Sequence, residues 1–207
     1  MSFVRHFATA LVLSIFTIAG AHAGPKAADS AELVKPVTEG ELAPKFEVRH
    51  ADGSAFAFDP AKLEKRQLLI FYRGGWCPYC NRHLQALQDV VPKLRDADVD
   101  VLFLSADKPE LLYSSLDEPD IDYILLSDAA MSASRAFGVA FRVDDETYEK
   151  YKGYGIDLEA SSGFDHHELP VPAVYLIDTD GKISFAHADA DYSKRLESSV
   201  ILQAAGL

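Results

Sequence analysis

Gln67-Leu68-Leu69-Ile70-Phe71-Tyr72-Arg73-Gly74-Gly75-Trp76-Cys77-Pro78-Tyr79-Cys80 is the stretch that decides the fold. The run from Gln67 to Tyr72 lacks the polar alternation of a strand with one wet face, so it predicts a strand buried on both sides in a sheet covered by helices. Arg73-Gly74-Gly75-Trp76 ends it. A helix should follow, because Pro78 suits a first-turn position and Leu84, Leu87, Val91 and Leu94 recur at helical spacing; Pro92 should kink or shorten it. Both cysteines therefore stand where a buried strand hands over to a helix N-terminus.

The same alternation continues outward from this unit. Strand Val99 to Ser105, helix Pro109 to Leu116, strand Ile121 to Leu126 and helix Ala129 to Phe137 form βαβ units. Upstream, Phe46 to His50 and Ser54 to Phe58 flank Ala51-Asp52-Gly53 and predict an N-terminal β-hairpin. Downstream, Val174 to Ile177 and Ile183 to Phe185 flank Asp180-Gly181, and Ser193 to Ala205 has the spacing of a last helix. Parallel units followed by an antiparallel pair make this an α/β chain with a central mixed sheet flanked by helices. Phe141 to Leu169, rich in tyrosine and acid, fits none of these units and could be a lid or a partner surface. No internal repeat or low-complexity tract occurs.

The N-terminus carries Arg5, an apolar run from Phe7 to Ala19 and the small-x-small site Ala21-His22-Ala23, the three parts of a secretory signal peptide spanning 1–23. The run is too short for a membrane span, which needs about 20 apolar residues. Cleavage after Ala23 would shorten the 207-residue chain to 184 and take its net charge from −12 to −13, since Arg5 is the one charged side chain lost. Residues 24–41, rich in Ala, Pro, Glu and Gly without periodicity, read as a linker. The folded domain then spans 42–207.

With 32 acidic against 20 basic residues, the chain lacks the clustered cations that condense phosphates, so no nucleic-acid partner is expected. A 48% hydrophobic content excludes a disordered chain, and two cysteines are too few for a disulfide framework. Export places the chain in the periplasm, where disulfides persist.

The chemistry lies in Cys77-Pro78-Tyr79-Cys80. Free amides and the dipole at a helix N-terminus favour negative charge and lower a thiol's pKa, and the thiolate is the reactive species. The short spacing lets one sulfur resolve a mixed disulfide or sulfenic acid formed on the other. A purely structural disulfide would close so small a loop that chain entropy gives it only about 2 kcal/mol, against about 3 for a 15-residue loop. His83, His166 and His167 lack the paired-ligand spacing of a zinc site, so no metal is expected. Trp76 and Tyr79 are candidates for an apolar docking rim, and Arg73 for a cation beside the thiolate. His166 and His167 remain candidates for proton transfer.

Leu42-Ala43-Pro44-Lys45-Phe46, Asp52-Gly53, Phe71 to Asn81 and Val171-Pro172-Ala173-Val174-Tyr175-Leu176-Ile177-Asp178 together resemble peroxiredoxin-like proteins of the alkyl hydroperoxide reductase/thiol-specific antioxidant group. The resemblance runs from about Leu42 to Leu207. It implies a thioredoxin fold, thiol redox catalysis without a bound cofactor, and Pro172 as a cis-proline whose loop faces the substrate. In the family's spacing Pro-x-x-x-Thr-x-x-Cys, the three named places hold Arg73, Cys77 and Cys80, so the cysteine alone matches. The family's arginine before the Val174 strand is replaced by Pro172, and thioredoxin's buried acid by Phe71.

Two enzymatic readings follow. In the first, Cys80 or Cys77 attacks a hydroperoxide, the other cysteine resolves the sulfenic acid, and a thiol reductant, protein or small molecule, regenerates the dithiol. In the second, Cys77 exchanges disulfides with client proteins. Arg73, Trp76, Tyr79 and Pro172 would contact substrate in either. A binding module that reuses the fold is the non-enzymatic alternative.

Overall fold

The computed structural model describes residues 25–113 and 124–207. The expected signal peptide, and the parts of the expected helix 109–116 and strand 121–126 that fall within 114–123, lie outside the described residues.

Leu68 and Ile70 point to one face of the strand that the sequence stretch forms at Arg66–Tyr72, while Leu69 and Phe71 point to the other; all four are buried. In chain order with its neighbours this strand is β3. The hairpin β1 (Phe46–Arg49) and β2 (Ala55–Phe58) precedes it, and β4 (Val99–Ser105) and β5 (Ile124–Ser127) follow. The last pair of the main sheet is β8 (Ala173–Ile177) and β9 (Ile183–Ala188).

Seven strands in the order β2-β1-β5-β4-β3-β8-β9 make one mixed sheet. β3, β4 and β5 run parallel at its centre, with Leu68 beside Val101 and Ile70 beside Phe103. β8 pairs antiparallel to β3, and β9 to β8. The Asp52-Gly53 hairpin closes as the sequence predicts, with Phe46 opposite Phe58.

Each face has its own core. One joins Leu68, Ile70, Val101 and Phe103 to Cys80, Leu84 and Leu94 from α1 (Pro78–Ala86) and α2 (Val91–Asp96), to Leu87 just after α1, and to Ile201 from α6 (Ser198–Ala205). The other joins Leu69, Phe71, Leu102, Leu104 and Tyr175 to Phe137, which follows α3 (Ser132–Ala136), and to Phe46 and Phe58.

Several expected boundaries move. The single helix after Cys77 is two, because Pro92 has no N–H to donate and takes a first-turn place in α2. Pro109–Leu111 is a 3-10 turn. The last helix starts at Ser198 instead of Ser193, for the chain before it turns at Asp191, whose carboxylate accepts from the Ser193 amide, and carries Arg195 to the sulfurs. The helix expected at 129–137 is confined to α3, since Asp128 caps it by accepting from the Ala133 and Ser134 amides at 2.9 and 2.7 Å.

Residues 25–41, expected to be a linker, lie against the domain. Ala28 exchanges backbone hydrogen bonds with Ala140 and Arg142, and the Lys35 and Val37 amides donate to the Gly138 and Phe137 carbonyls. A Cβ on Gly138 would lie 2.1 Å from the Lys35 oxygen, so glycine is what lets the two backbones meet.

The 141–169 segment resolves into β6 (Ala140–Arg142), α4 (Asp145–Gly153), α5 (Leu158–Ser162) and β7 (Glu168–Pro170), with β6 and β7 paired at its base. Its apolar side forms a third cluster through Leu158, Tyr148 and Tyr151, which reaches Trp76.

Candidate active site

Gly74 has φ +140, and a Cβ there would lie 2.6 Å from both the Asp107 carboxylate and the Trp76 indole nitrogen. The chain can turn this tightly out of β3 only without a side chain. Asp107, just beyond β4, accepts from the Gly75 amide at 2.7 Å and from the Ser105 hydroxyl at 3.2 Å. The Asn81 side chain donates to the Gly75 carbonyl at 2.8 Å. The turn is thus held from both sides, and it sets Cys77 as the residue that caps α1.

Both cysteines are free thiols, and their environments differ. Cys77 receives the hydrogen bond of the Cys80 thiol, lies near the Cys80 amide and feels the Arg73 and Arg195 guanidiniums; together these overcome its burial and pull its pKa down to about 6. Burial, reinforced by that same hydrogen bond to Cys77, pushes Cys80 well above the ordinary thiol range. One sulfur is thereby prepared as a thiolate and the other as a protonated donor.

Arg195 is the residue that sequence reasoning missed. Its Nη2 lies 3.1 Å from the Cys80 sulfur and 3.8 Å from that of Cys77, while Nη1 donates to the Tyr192 and Lys194 carbonyls at 2.6 Å. No local motif marks it, since it reaches the sulfurs from more than a hundred residues downstream.

Arg73 is buried. Its guanidinium lies 5.0, 5.3 and 4.5 Å from the ring centres of Trp76, Tyr151 and Tyr192, and Nη2 donates to the Tyr151 hydroxyl. Its Nε has no acceptor, and no carboxylate among the described residues pairs with it. The rings supply cation–π attraction where water is excluded. Through Tyr151, α4 becomes a wall of the site.

Trp76 is half-buried between Arg73 and Asp107, whereas Tyr79 is exposed and meets Tyr192 edge-on at 5.8 Å. Pro172 is buried and lines a small cavity with His83 and Arg195. Its expected cis bond is corrected: the described residues contain no cis peptide. The chain passes directly from β7 into β8, with the Val171 amide bonded to Val139 and the Pro172 carbonyl accepting from Asp189, so it stays extended there.

His166 and His167 are engaged away from the sulfurs. His166 accepts from the Glu168 amide at Nδ1, leaving Nε2–H to donate to the Ala129 carbonyl at 2.8 Å. His167 bonds Glu159 and stacks on Tyr148. His83 is buried and held neutral, its pKa pushed down to about 4 chiefly by burial. No cluster of three or more metal-ligating side chains occurs among the described residues, nor any helix long and apolar enough to cross a membrane.

The AhpC/TSA family model matches residues 40–186. Peroxiredoxin Bcp of Escherichia coli (strain K12) is 30% identical over 171 residues, covering 82% of this chain and 96% of that protein. The thiol-disulfide oxidoreductase ResA of Bacillus thuringiensis is 25% identical over 145 residues, covering 70% of this chain and 66% of that protein. Among solved structures, peroxidoxin BcpB from Mycobacterium tuberculosis superposes with a TM-score of 0.60 at 19% identity, covering 82% of this chain and 95% of that one.

Proposed function

The chain belongs to the AhpC/TSA family, as a peroxiredoxin-like oxidoreductase of thioredoxin fold, and from that premise we propose that it reduces hydroperoxides with Cys77 as the attacking thiolate and Cys80 as the resolving thiol. The observation that carries this assignment is the opposite displacement of the two thiol pKa values within one helical turn.

In the first step the Cys77 thiolate attacks one peroxide oxygen: an S–O bond forms, the O–O bond breaks, and the departing oxygen leaves as water or an alcohol after taking up a proton. Arg195 and Arg73 supply the positive field that the family's Thr and Arg positions do not supply here. In the second step the Cys80 sulfur attacks the Cys77 sulfenic acid. The S–S bond forms, and water leaves carrying the sulfenic oxygen and the proton balance of the Cys80 thiol. A thiol reductant, protein or small molecule, then returns both sulfurs to the dithiol. No bound cofactor enters this cycle.

The leader at 1–23 supports action in the periplasm, and intact-mass measurement of the exported protein should find an N-terminus at Gly24. An unprocessed N-terminus would overturn the export reading.

The likeness to ResA favours a second reading, exchange with protein disulfides by the same Cys77. The two are separated by mixing reduced protein with hydrogen peroxide or with a small disulfide and comparing rates of thiol loss. Faster loss with peroxide, abolished in Cys77→Ser, together with dimedone-trapped sulfenic acid at Cys77 in Cys80→Ser, is the expected result. Retained peroxide-dependent thiol loss in Cys77→Ser would pass the attack to Cys80, and faster loss with disulfide would make the chain an exchange enzyme.

A further inference from the structure

Cys77 begins a helix, where a thiol is ordinarily open, yet only 2% of its surface is exposed and Cys80 shows none. The chain between β9 and α6 contributes to the cover, for its Arg195 lies 3.8 and 3.1 Å from the Cys77 and Cys80 sulfurs. That segment is fixed at both ends. The Asp189 amide donates to the Pro172 carbonyl at 3.1 Å, Leu196 packs into the core of α1 and α2, and the Ser198 hydroxyl donates to the Ala86 carbonyl at 3.2 Å.

Between those anchors the backbone turns at Asp191, whose carboxylate accepts from the Ser193 amide and hydroxyl. The turn presents two side chains to the site. Tyr192 lays its ring over the Arg73 guanidinium and meets Tyr79 edge-on; Arg195 lies on the sulfurs. Tyr79 and Tyr192 remain 38% and 48% exposed, so this pair of rings stands at the surface beside the thiols.

We propose that residues 190–195 form a strap that makes the reduced site selective for small hydroperoxides, and that Tyr192 is the residue that sets the size limit. A molecule the size of hydrogen peroxide needs only the side-chain fluctuations of exposed rings, which take picoseconds to nanoseconds, to reach Cys77. A bulky hydroperoxide or a folded protein's disulfide must displace the strap, and so lose both the Tyr192–Arg73 stacking and the Arg195–thiolate contact. This rests on the reading that Cys77 is the attacking thiolate, and it adds a limit on what that thiolate can meet.

The test compares alkylation of the reduced protein by N-ethylmaleimide and by a polyethylene-glycol maleimide of several kilodaltons, two reagents with the same reactive group and different bulk. The native chain should react far faster with the small reagent. Tyr192→Ala should narrow the ratio of the two rates by about tenfold or more, equivalent to about 1.4 kcal/mol in relative barrier, whereas Tyr192→Phe should keep the native ratio because the phenol makes no recorded hydrogen bond. Tyr79→Ala, which removes the facing ring, provides the same reading from a second position. An unchanged ratio in both alanine variants overturns the strap. Because maleimide reports access without any peroxide, a chain that alkylates with this selectivity but does not consume hydrogen peroxide would overturn the peroxidase reading and leave the strap standing.

Discussion

Cys77 and Cys80 are three residues apart, yet burial, a shared hydrogen bond and two guanidiniums divide the work of nucleophile and proton donor between them. The pH profile of Cys77 alkylation in the reduced protein should therefore rise with a midpoint near 6, below the ordinary thiol value of about 8.5. Cys80→Ala removes the donor that contributes most and should move the midpoint upward. Arg195→Met should move it upward by less, because its field is a smaller contribution than the hydrogen bond. A midpoint unmoved in Cys80→Ala would leave the thiolate to the helix terminus and the two guanidiniums. The C-x-x-C pair and the candidacy of Arg73 were legible in the sequence because each lies in one short stretch. Arg195 was not, since its role depends on where the β9–α6 connection crosses the sheet.

At the scale of the element, the strand-turn-helix unit depends on Gly74 and Asp107 together. Gly74→Ala should strain the left-handed backbone and push against a carboxylate already committed to the Gly75 amide, costing about 1–3 kcal/mol in urea unfolding. Trp76 is the sole tryptophan, so the variant's fluorescence maximum should shift as the indole leaves its half-buried place. A native spectrum with native stability would show that the turn can yield. Likewise, Asp128→Ala strands two buried amides at the start of α3 and should cost about 1–3 kcal/mol. β3 and the two Asp-Gly hairpins were readable because local apolar patterning and turn chemistry agree with the final packing. The start of α6 was not: helical spacing continues back through Leu196, but a long-range contact of Arg195 competes with helix formation, and propensity is a weak determinant against tertiary contacts.

Across the whole molecule, buried titratable groups set how stability follows pH. Asp107 and Asp128 are each raised to about 6, mainly by burial, so their contribution is fully present below their unfolded value near 3.8 and is lost as pH rises toward 6. His83, lowered to about 4, acts in the opposite sense over much of the same window by costing stability as pH falls below 6.5. Among these three buried groups the folded state thus keeps about one proton more than the unfolded state between pH 4 and 6, so their joint contribution to stability falls as pH rises through that window. Asp128→Asn should flatten that slope, as read from urea midpoints of the Cys77→Ser/Cys80→Ser chain, in which the thiols no longer titrate; an unchanged slope would discount Asp128. The packing of residues 25–41 along the domain was equally a whole-molecule property, invisible to composition because backbone pairing with Gly138 and Phe137 needs no sequence periodicity. Finally, the cation held among Trp76, Tyr151 and Tyr192 stabilises negative charge on the Cys77 sulfur, and that charge vanishes when the sulfurs join. Arg73 therefore favours the dithiol over the disulfide and raises the reduction potential of the couple, making the oxidised protein readier to accept electrons from its reductant.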